Sequence, residues 1–296
     1  MRYLMHQAVH QALRQTSRQA SPRPVRHAIR RLGVYFGFAL VLAVLVVAGQ
    51  AQSPTPAAPA AQPAVAPSFP LAPPPGPQIY PTPLVDDDAG FVAIFNGSSL
   101  DGWDGDPRYW RVEDHEIIGE VTPATLLKQN NFLIWRGGAP ANFELKAEFR
   151  ISAQGNSGIN YRSVEIPGTK WLMRGYQADI DGANKYTGQN YEERGRTFLA
   201  PRGTIAYVAT GQKPAIVANL GSADDLKAFI KPGDWNQYHI IVRGNVLIHI
   251  LNGHTMCEVI DDDTANRKFS GLIGVQVHVG PPMKIEYRSF LLKELP

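Results

Sequence analysis

The sequence predicts an all-β domain, a β-sandwich of two packed antiparallel sheets, preceded by an N-terminal leader and a linker. Three observations predict this fold. Many short segments alternate apolar and polar residues, Gly- and Pro-containing turns separate them, and no βαβ spacing occurs. The span from residue 86 to residue 296, about 210 residues, suits a single sandwich.

The strands are predicted in chain order from their alternation. Phe143–Ile151 is the clearest, with one apolar and one charged face. The later predicted strands are Tyr238–Val242, Val246–Leu251, Met256–Ile260, Leu272–Val279 and Ile285–Leu292. Asn252-Gly253 is a strong hairpin turn between two of them. One short helix is expected over Ser222–Phe229, with a serine cap and early acids.

The first third of the chain has the order of an export leader. Residues 1–31 are basic and contain no acid, and residues 32–52 hold an apolar run that ends in small residues. This run also reaches the lower length limit of a membrane span, so a retained inner-membrane anchor over residues 32–49 is the alternative. Residues 53–85 are rich in Pro and Ala and predict a disordered, extended linker. We therefore expect an exported domain, periplasmic or at the cell surface, that contacts the membrane only through this segment.

Composition excludes several classes of function. The leader supplies the formal net charge of +3, and after residue 86 acids and bases are close to balance, so nucleic-acid binding is not expected. The single cysteine, Cys257, is expected to be an inert packed thiol. No zinc-binding spacing, nucleophile elbow or phosphate loop occurs. No cofactor is evident, and a divalent metal is left open.

Asp261–Asp263 is expected to be an exposed turn, and His249 and His254 are expected to be surface residues.

The most informative stretch runs from Tyr176 to Asp181. Its alternation places Gln177, Asp179 and Asp181 on one face of a strand. Successive side chains on one face are roughly 6.5–7 Å apart, a separation at which two carboxyl groups can act on one sugar ring. Because an amide and two acids are costly to bury unpaired, we expect this face to line a wet cleft.

Further polar residues are expected to join this face. A turn over 154–158 delivers Asn160 and Arg162 to one side of the following strand, and Gln276 and His278 alternate with valines near the end of the chain. The segment Gly182–Arg202 is expected to be a long functional loop. It would add Tyr191, Glu192, Arg194 and Arg196. Such amides, acids and guanidinium groups suit a sugar or oligosaccharide substrate, and imidazole exchanges protons near neutral pH.

Each of these residues also has a structural interpretation. Asp179 and Asp181 could form a salt-bridged network with Arg162 and Arg196. Glu192 and Glu193 beside Arg194 could be a solvated surface run, and His278 could be a structural hydrogen-bonding residue.

These motifs occur together in one known family. They are Phe95–Trp103, Phe143–Arg150, Asn156–Ile159, Arg162, Gly175-Tyr176, Asp181, Gly233–Asn236, Leu251–Gly253 and Gly274–His278. In them the domain resembles the 3-keto-disaccharide hydrolase family, formerly a domain of unknown function, and the match covers nearly all of residues 90–295. The resemblance implies a concanavalin/laminarinase-like jelly roll. The chain departs from the family at Gln177, where an acid is common, at Asp179, where an amide is common, and in the loop Asn190–Arg196.

The resemblance also implies a chemistry. A partner oxidoreductase would first convert the sugar C3 hydroxyl to a ketone, which acidifies the C2 hydrogen. A base would remove that hydrogen, the enolate would expel the C1 group, and water would add back. Our hypothesis takes His278 or Asp181 as the base, Arg162 as the enolate stabiliser, and Glu192 or Asp179 as the acid. The hypothesis assigns sugar binding to Asn160, Gln177, Tyr191, Arg194, Arg196 and Gln276.

Two other functions compete with this one. An ordinary retaining β-glucanase would use Asp179 and Asp181 as its pair of acids. A non-catalytic carbohydrate-binding module would bind sugar without cleaving it, through exposed aromatic residues such as Trp110, Trp171 or Tyr191.

Overall fold

A computed structural model of the protein describes residues 87–296. The leader, anchor and linker predicted over residues 1–85 lie outside the described residues and stay predictions. No helix within residues 87–296 is long and apolar enough to cross a membrane.

The described residues form seventeen strands and one short helix. The strands are β1 Val92–Ala93, β2 Trp103–Asp104, β3 Trp110–Glu113, β4 Glu116–Val121, β5 Asn131–Trp135, β6 Phe143–Ile151, β7 Asn156–Glu165, β8 Met173–Asp181, β9 Asn190–Glu193, β10 Thr197–Ala200, β11 Thr204–Ala209, β12 Ala215–Asn219, β13 Asn236–Arg243, β14 Val246–Leu251, β15 His254–Asp262, β16 Leu272–Val277 and β17 Met283–Glu294. The helix is α1 Ala223–Lys227.

The strands build two sheets, as the alternating sequence predicts. The larger has ten strands in the order β12-β11-β15-β14-β13-β6-β17-β4-β3, with β1 added beside β17. The smaller has seven in the order β10-β9-β8-β7-β16-β5-β2. Neighbours are antiparallel except β11 and β15, which are parallel. The predicted all-β jelly-roll sandwich is confirmed.

The core lies between the two sheets and fixes which way each strand faces. In β8 the apolar residues Tyr176, Ala178 and Ile180 belong to the core cluster. Because side chains alternate along a strand, Gln177 and Asp179 project from the outer face of the seven-stranded sheet.

Several local predictions are confirmed in detail. Strands β6 and β14 have the predicted bounds, whereas β16 ends at Val277, two residues before the predicted end. Asn252 and Gly253 both have positive φ, 48° and 82°, as a two-residue hairpin turn of this kind requires. The Ser222 side chain caps α1 by accepting a hydrogen bond from the Asp225 amide.

The prediction of a continuous loop over Gly182–Arg202 is wrong. The segment contains β9 and β10, which pair with each other and extend the seven-stranded sheet beyond β8. Both strands are only four residues long and β9 is polar on both faces, so neither shows the alternation that predicted the other strands.

Candidate functional site

The polar residues of β8 meet polar residues of both neighbouring strands on the outer face. Gln177 is opposite Asn160 of β7 and opposite Tyr191 of β9, and Asp179 is opposite Gly158. An apolar cluster covers part of the same face: Phe132, Ile134, Leu172 and Met173. Gln177, Asp179 and Asp181 are buried, so the expected wet cleft is wrong: these residues lie in a largely dry setting on the outside of the sandwich, where interactions between charges are strong.

Asp179 is held between two side-chain amides. Gln177 Nε2 donates to its Oδ1 at 2.7 Å, and Gln189 Nε2 donates to its Oδ2 at 2.7 Å. Burial raises the pKa of Asp179 to about 7, against these two hydrogen bonds, which lower it. The negative charges of Asp181 and Glu193 add to the rise. Asp179 is thus a carboxyl group that gains and loses its proton near neutral pH.

The hydrogen bonds continue across the sheet to a second acid. Gln276 Nε2 donates to Gln177 Oε1 at 3.4 Å and to Glu193 Oε2 at 3.3 Å. Asn130 Nδ2 donates to Glu193 Oε1 at 3.3 Å. We call the set Gln189, Asp179, Gln177, Gln276, Glu193 and Asn130 the polar chain. It links two carboxyl groups through amides.

Gly158 makes room for the polar chain. A Cβ atom at this position would lie 2.5 Å from Gln177 Cγ and 2.6 Å from its Nε2. The Gln177 side chain therefore lies directly over the Gly158 backbone, where no larger residue fits without moving it.

Two amides on this face have polar atoms without partners. Both amide atoms of the fully buried Asn160, and Oε1 of Gln276, make no hydrogen bond to any described residue. Buried polar groups in folded proteins are nearly always hydrogen-bonded. These atoms are consequently the donors and acceptors of this face that no described residue satisfies.

Asp181 shares the face but has a different setting. Its Oδ1 accepts hydrogen bonds from the amides of Tyr186 and Thr187 at 2.6 and 2.9 Å, and its Oδ2 accepts one from the Lys185 amide at 3.1 Å. These bonds hold the turn between β8 and β9. Asp181 therefore stabilises the segment that presents Gln189.

The expected placement of Arg162 on the shared face is wrong. A bulge in β7, where Arg162 has a φ of 42°, turns its side chain away. All its N–H groups donate elsewhere, mainly to the carbonyls of Ala141, Gly244 and Lys268. The guanidinium group ties three loops together and has no donor left for an enolate.

Glu192 and Arg196 also lie away from the polar chain. Glu192 is opposite Tyr176, which faces the core, so its carboxylate points inward and pairs with Arg196 at 2.6 Å. Arg196 also pairs with Asp261 at 2.7 Å and with Asp263 at 3.3 Å. Asp261 and Asp263 are buried, so the predicted exposed turn is wrong: the carboxylates there neutralise a half-buried arginine.

Tyr191 and Arg194 lie at the edge of the outer face. Tyr191 packs against Phe198 with ring centroids 5.1 Å apart, and Phe198 stacks on Tyr186 at 5.9 Å. Burial raises the pKa of Tyr191, and the charges of Glu193 and Asp179 raise it further, as expected for a ring close to both acids. Arg194 is exposed and makes a long ion pair with Glu193, 3.6 Å.

His278 directly follows β16 and is half-buried. Its Nδ1 lies 2.6 Å from the Val279 carbonyl. Because a carbonyl only accepts, Nδ1 carries the proton and Nε2 is the nitrogen left for a ligand. The Val279 amide in turn donates to Asn130 Oδ1 at 2.9 Å, which joins the histidine segment to the polar chain.

Sequence reasoning missed three members of the polar chain, which are Glu193, Gln189 and Asn130. The sequence pattern groups Glu193 with Glu192 as one charged run, but the two side chains face opposite sides of the sheet because they are neighbours in a strand. Recognising β9 as a strand would have separated them. Gln189 and Asn130 lie just outside β9 and β5, where alternation gives no signal.

Four other residues singled out in the sequence are not members of the polar chain. Cys257 is placed as predicted, and His249, Trp110 and Trp171 are not. His249 is fully buried, not at the surface. Its Nε2 contacts the Tyr161 hydroxyl at 2.9 Å, and burial lowers its pKa to about 3. Cys257 is buried, as expected, and burial raises its pKa. Trp110 is part of the core, and Trp171 is half-buried with Nε1 donating to Asp104 at 2.7 Å. These tryptophans do not form an exposed sugar-stacking surface.

Within residues 87–296, no group of three or more His, Cys, Asp or Glu side chains is arranged to hold a metal ion.

Comparisons with known proteins identify relatives of the domain. The family model of the 3-keto-alpha-glucoside-1,2-lyase-like domain matches residues 90–293, in agreement with the family predicted from the motifs. No curated protein matches the chain.

Solved structures similar to the chain include two candidate glycosyl hydrolases from Parabacteroides distasonis. One has 16% identity, covers 69% of this chain and 99% of its own and has a TM-score of 0.48. The other has 20% identity, covers 72% of this chain and 98% of its own and has a TM-score of 0.46. A carbohydrate-binding module from Bacillus subtilis has 12% identity, covers 65% of this chain and 96% of its own and has a TM-score of 0.43.

Proposed function

The chain belongs to the 3-keto-alpha-glucoside-1,2-lyase-like family, and from that premise we propose that it cleaves 3-keto-glycosides, 3-keto-disaccharides among them. The family makes it a carbohydrate-active protein related to glycosyl hydrolases. In the proposed reaction the C2 proton is removed, the group at C1 leaves, and water adds to the resulting enone. A 3-dehydrogenating oxidoreductase must supply the substrate, because the C3 ketone is what makes the C2 proton acidic.

The observation that carries the proposal is the setting of Asp179. A base that removes a proton next to a carbonyl works best when its pKa is near the working pH. Burial raises the pKa of Asp179 to about 7, and the amides of Gln177 and Gln189 fix both of its oxygens in place. We assign Asp179 as the base in place of His278 or Asp181.

The developing enolate needs a hydrogen-bond donor that is already in place. Asn160 lies in register with Gln177 on the next strand, and its Nδ2 has no partner in the described part of the chain. Such a donor, held in a water-poor site, stabilises an oxyanion without reorganising. Asn160 takes the role first assigned to Arg162, and Gln276 Oε1 is free to accept a bond from a sugar hydroxyl.

The departing oxygen at C1 requires a proton. As an imidazolium, His278 carries a proton on Nε2 as well as on Nδ1; Nδ1–H is engaged with the Val279 carbonyl, and the Nε2 proton is the one that passes to the leaving oxygen. Glu193 orients Gln276 and Asn130 and adds negative charge near Asp179. Tyr191 and Phe198 provide an aromatic edge on which a sugar ring can stack.

The test is incubation of the protein with 3-keto-trehalose and, in parallel, with trehalose. The proposal predicts release of monosaccharide from the oxidised sugar only, and loss of that release in Asp179→Asn. The matched control is Asp114→Asn, the same change at an exposed turn on the other sheet. Equal cleavage of both sugars would instead indicate an ordinary glycosidase.

A carbohydrate-binding module is the second candidate, favoured by the contact between Tyr191 and Phe198 at the rim of the site. It predicts saturable sugar binding without cleavage, and binding that survives Asp179→Asn but not Tyr191→Ala. The retaining β-glucanase has less support, because the loop amides occupy the Asp181 carboxylate that it would need.

A further inference from the structure

A basic pocket lies beside the polar chain, at the end of the sheet where β8 begins. Its volume is about 490 Å³, within the range of small-molecule sites. It lies where the start of β8 meets the turn between β9 and β10 and the segment after β15. The residues that matter for its charge are Arg162, Arg174, Glu193, Arg194, Arg196 and Lys268.

The pocket carries more positive than negative charge. Five cationic side chains line it, against the two carboxylates of Glu192 and Glu193. Arg196 does not add to the excess, because Glu192, Asp261 and Asp263 surround it and their three carboxylates outnumber its single charge; the excess comes from Arg162, Arg174, Arg194 and Lys268.

Arg162 contributes a buried charge that no carboxylate balances. Its side chain is 1% exposed, and its partners are carbonyl groups and the amide oxygen of Asn142. Burial lowers its pKa. A buried charge without a counter-charge is costly, so an anion bound nearby would relieve that cost.

Two further cations face the solvent in the same pocket. Arg174 and Lys268 are exposed, and neither forms an ion pair with a described residue. With Arg194 they could contact an anion directly, since guanidinium and ammonium groups are the usual ligands of carboxylates and of sulfate or phosphate esters.

We propose that this pocket binds an anionic substituent of the sugar substrate, a carboxylate or a sulfate ester. Glu193 joins the two sites, because it lines the pocket while its carboxylate is engaged by Gln276 and Asn130 of the polar chain. A substrate cleaved at Asp179 would therefore place its far end among the cations. The inference rests on the proposed function only for this placement, and it makes the preferred substrate an acidic glycoside.

Calorimetric binding to the full-length protein tests the pocket without any turnover. The probes are methyl glucuronide and glucose 6-sulfate, with methyl glucoside as the neutral reference. The variant is Arg174→Gln combined with Lys268→Gln. Its matched control is Lys227→Gln combined with Lys231→Gln, which removes the same charge from an exposed region around α1.

Tighter binding of at least one anionic probe than of methyl glucoside is expected, with a dissociation constant that rises about tenfold in the Arg174/Lys268 variant and not in the control. Added salt should weaken this binding, and the probe that binds identifies the anion as carboxylate or sulfate. Equal binding of charged and neutral probes, equal weakening in both double variants, or no binding of any anionic probe would overturn the inference. None of these results depends on cleavage, so they are separable from failure of the lyase activity.

Discussion

Asp179 and Asp181 lie two residues apart on one face of β8, yet the structure gives them opposite surroundings. Asp179 accepts hydrogen bonds from two side-chain amides, and burial raises its pKa to about 7. Asp181 accepts hydrogen bonds from three main-chain amides of the following turn. One acid is prepared to exchange a proton, and the other holds the loop that carries Gln189.

The raised pKa of Asp179 predicts a pH-dependent cost to stability. An aspartate has a reference pKa of 3.8, so between that pH and about 7 the folded protein holds a proton that the unfolded chain has lost. The stability that this bound proton contributes is fully present below pH 3.8 and is lost as the pH rises through about 7. Asparagine cannot ionise. The free energy of unfolding of Asp179→Asn should therefore rise by about 1–3 kcal/mol relative to that of wild type between pH 4 and pH 8. Urea unfolding of both proteins at pH 4 and pH 8 measures this change. If the difference in the free energy of unfolding between variant and wild type were the same at both pH values, the raised pKa of Asp179 would be contradicted.

Asp181→Ala should lower stability rather than alter the chemistry directly. It leaves the amides of Lys185, Tyr186 and Thr187 without their acceptor, at a cost of about 2–4 kcal/mol in the free energy of unfolding. Thermal unfolding measures the loss. If Asp181→Ala were as stable as wild type but inactive, Asp181 would have the catalytic role and Asp179 would not.

Glu192 and Glu193 form a matched pair of adjacent acids on opposite faces. Glu193→Gln removes a negative charge that raises the pKa of Asp179, so the acidic limb of the kcat/KM profile should move to lower pH. Turnover should also fall about tenfold, because glutamine keeps only one acceptor oxygen, so either Gln276 or Asn130 loses its partner and meets an NH₂ group instead.

Glu192→Gln should leave that profile in place. It removes an ion pair with the half-buried Arg196, so its effect should be a lower melting temperature. Identical pH profiles in the two variants would show that the orientation of β9 does not separate their roles.

Asn160→Ala should separate activity from stability. Neither amide atom of Asn160 has a partner among the described residues, so its removal breaks no protein hydrogen bond and should change the free energy of unfolding by less than about 1–2 kcal/mol. Turnover should fall roughly 10²-fold or more if the amide stabilises the enolate. Measuring both the free energy of unfolding and kcat of Asn160→Ala separates a catalytic role of the amide from a structural one. Normal kcat in a folded Asn160→Ala protein would remove Asn160 from the mechanism.

Gly158→Ala tests whether the position of Gln177 matters. The added Cβ atom would lie 2.5 Å from Gln177 Cγ and should push this side chain off Asp179. We expect a folded protein with a lowered kcat and a shifted pH profile. Gly138→Ala is the control, because its nearest contact, 3.6 Å from the Trp135 ring, is ordinary.

Much of the fold follows from the sequence alone, because alternation along β6, β8 and β14 reports directly which side chains reach the core. The outward placement of Gln177 and Asp179 follows from the same alternation. The sequence alone does not predict the roles of Arg162, Glu192 and Asp181, because each role depends on partners distant in sequence or on a local irregularity of the strand. A bulge turns Arg162 away, Arg196 draws Glu192 inward, and the turn amides occupy Asp181. Short polar strands such as β9 give too little pattern to predict.

In the proposed mechanism the protein breaks the glycosidic bond of an oxidised sugar by elimination, with Asp179 removing the C2 proton. The most direct test is mass spectrometry of the monosaccharide released from 3-keto-trehalose in D₂O, corrected for exchange without enzyme. We expect wild-type protein to place solvent deuterium at C2 of the product and Asp179→Asn to release almost no product. Release of product without deuterium at C2, or undiminished release by Asp179→Asn, would contradict it.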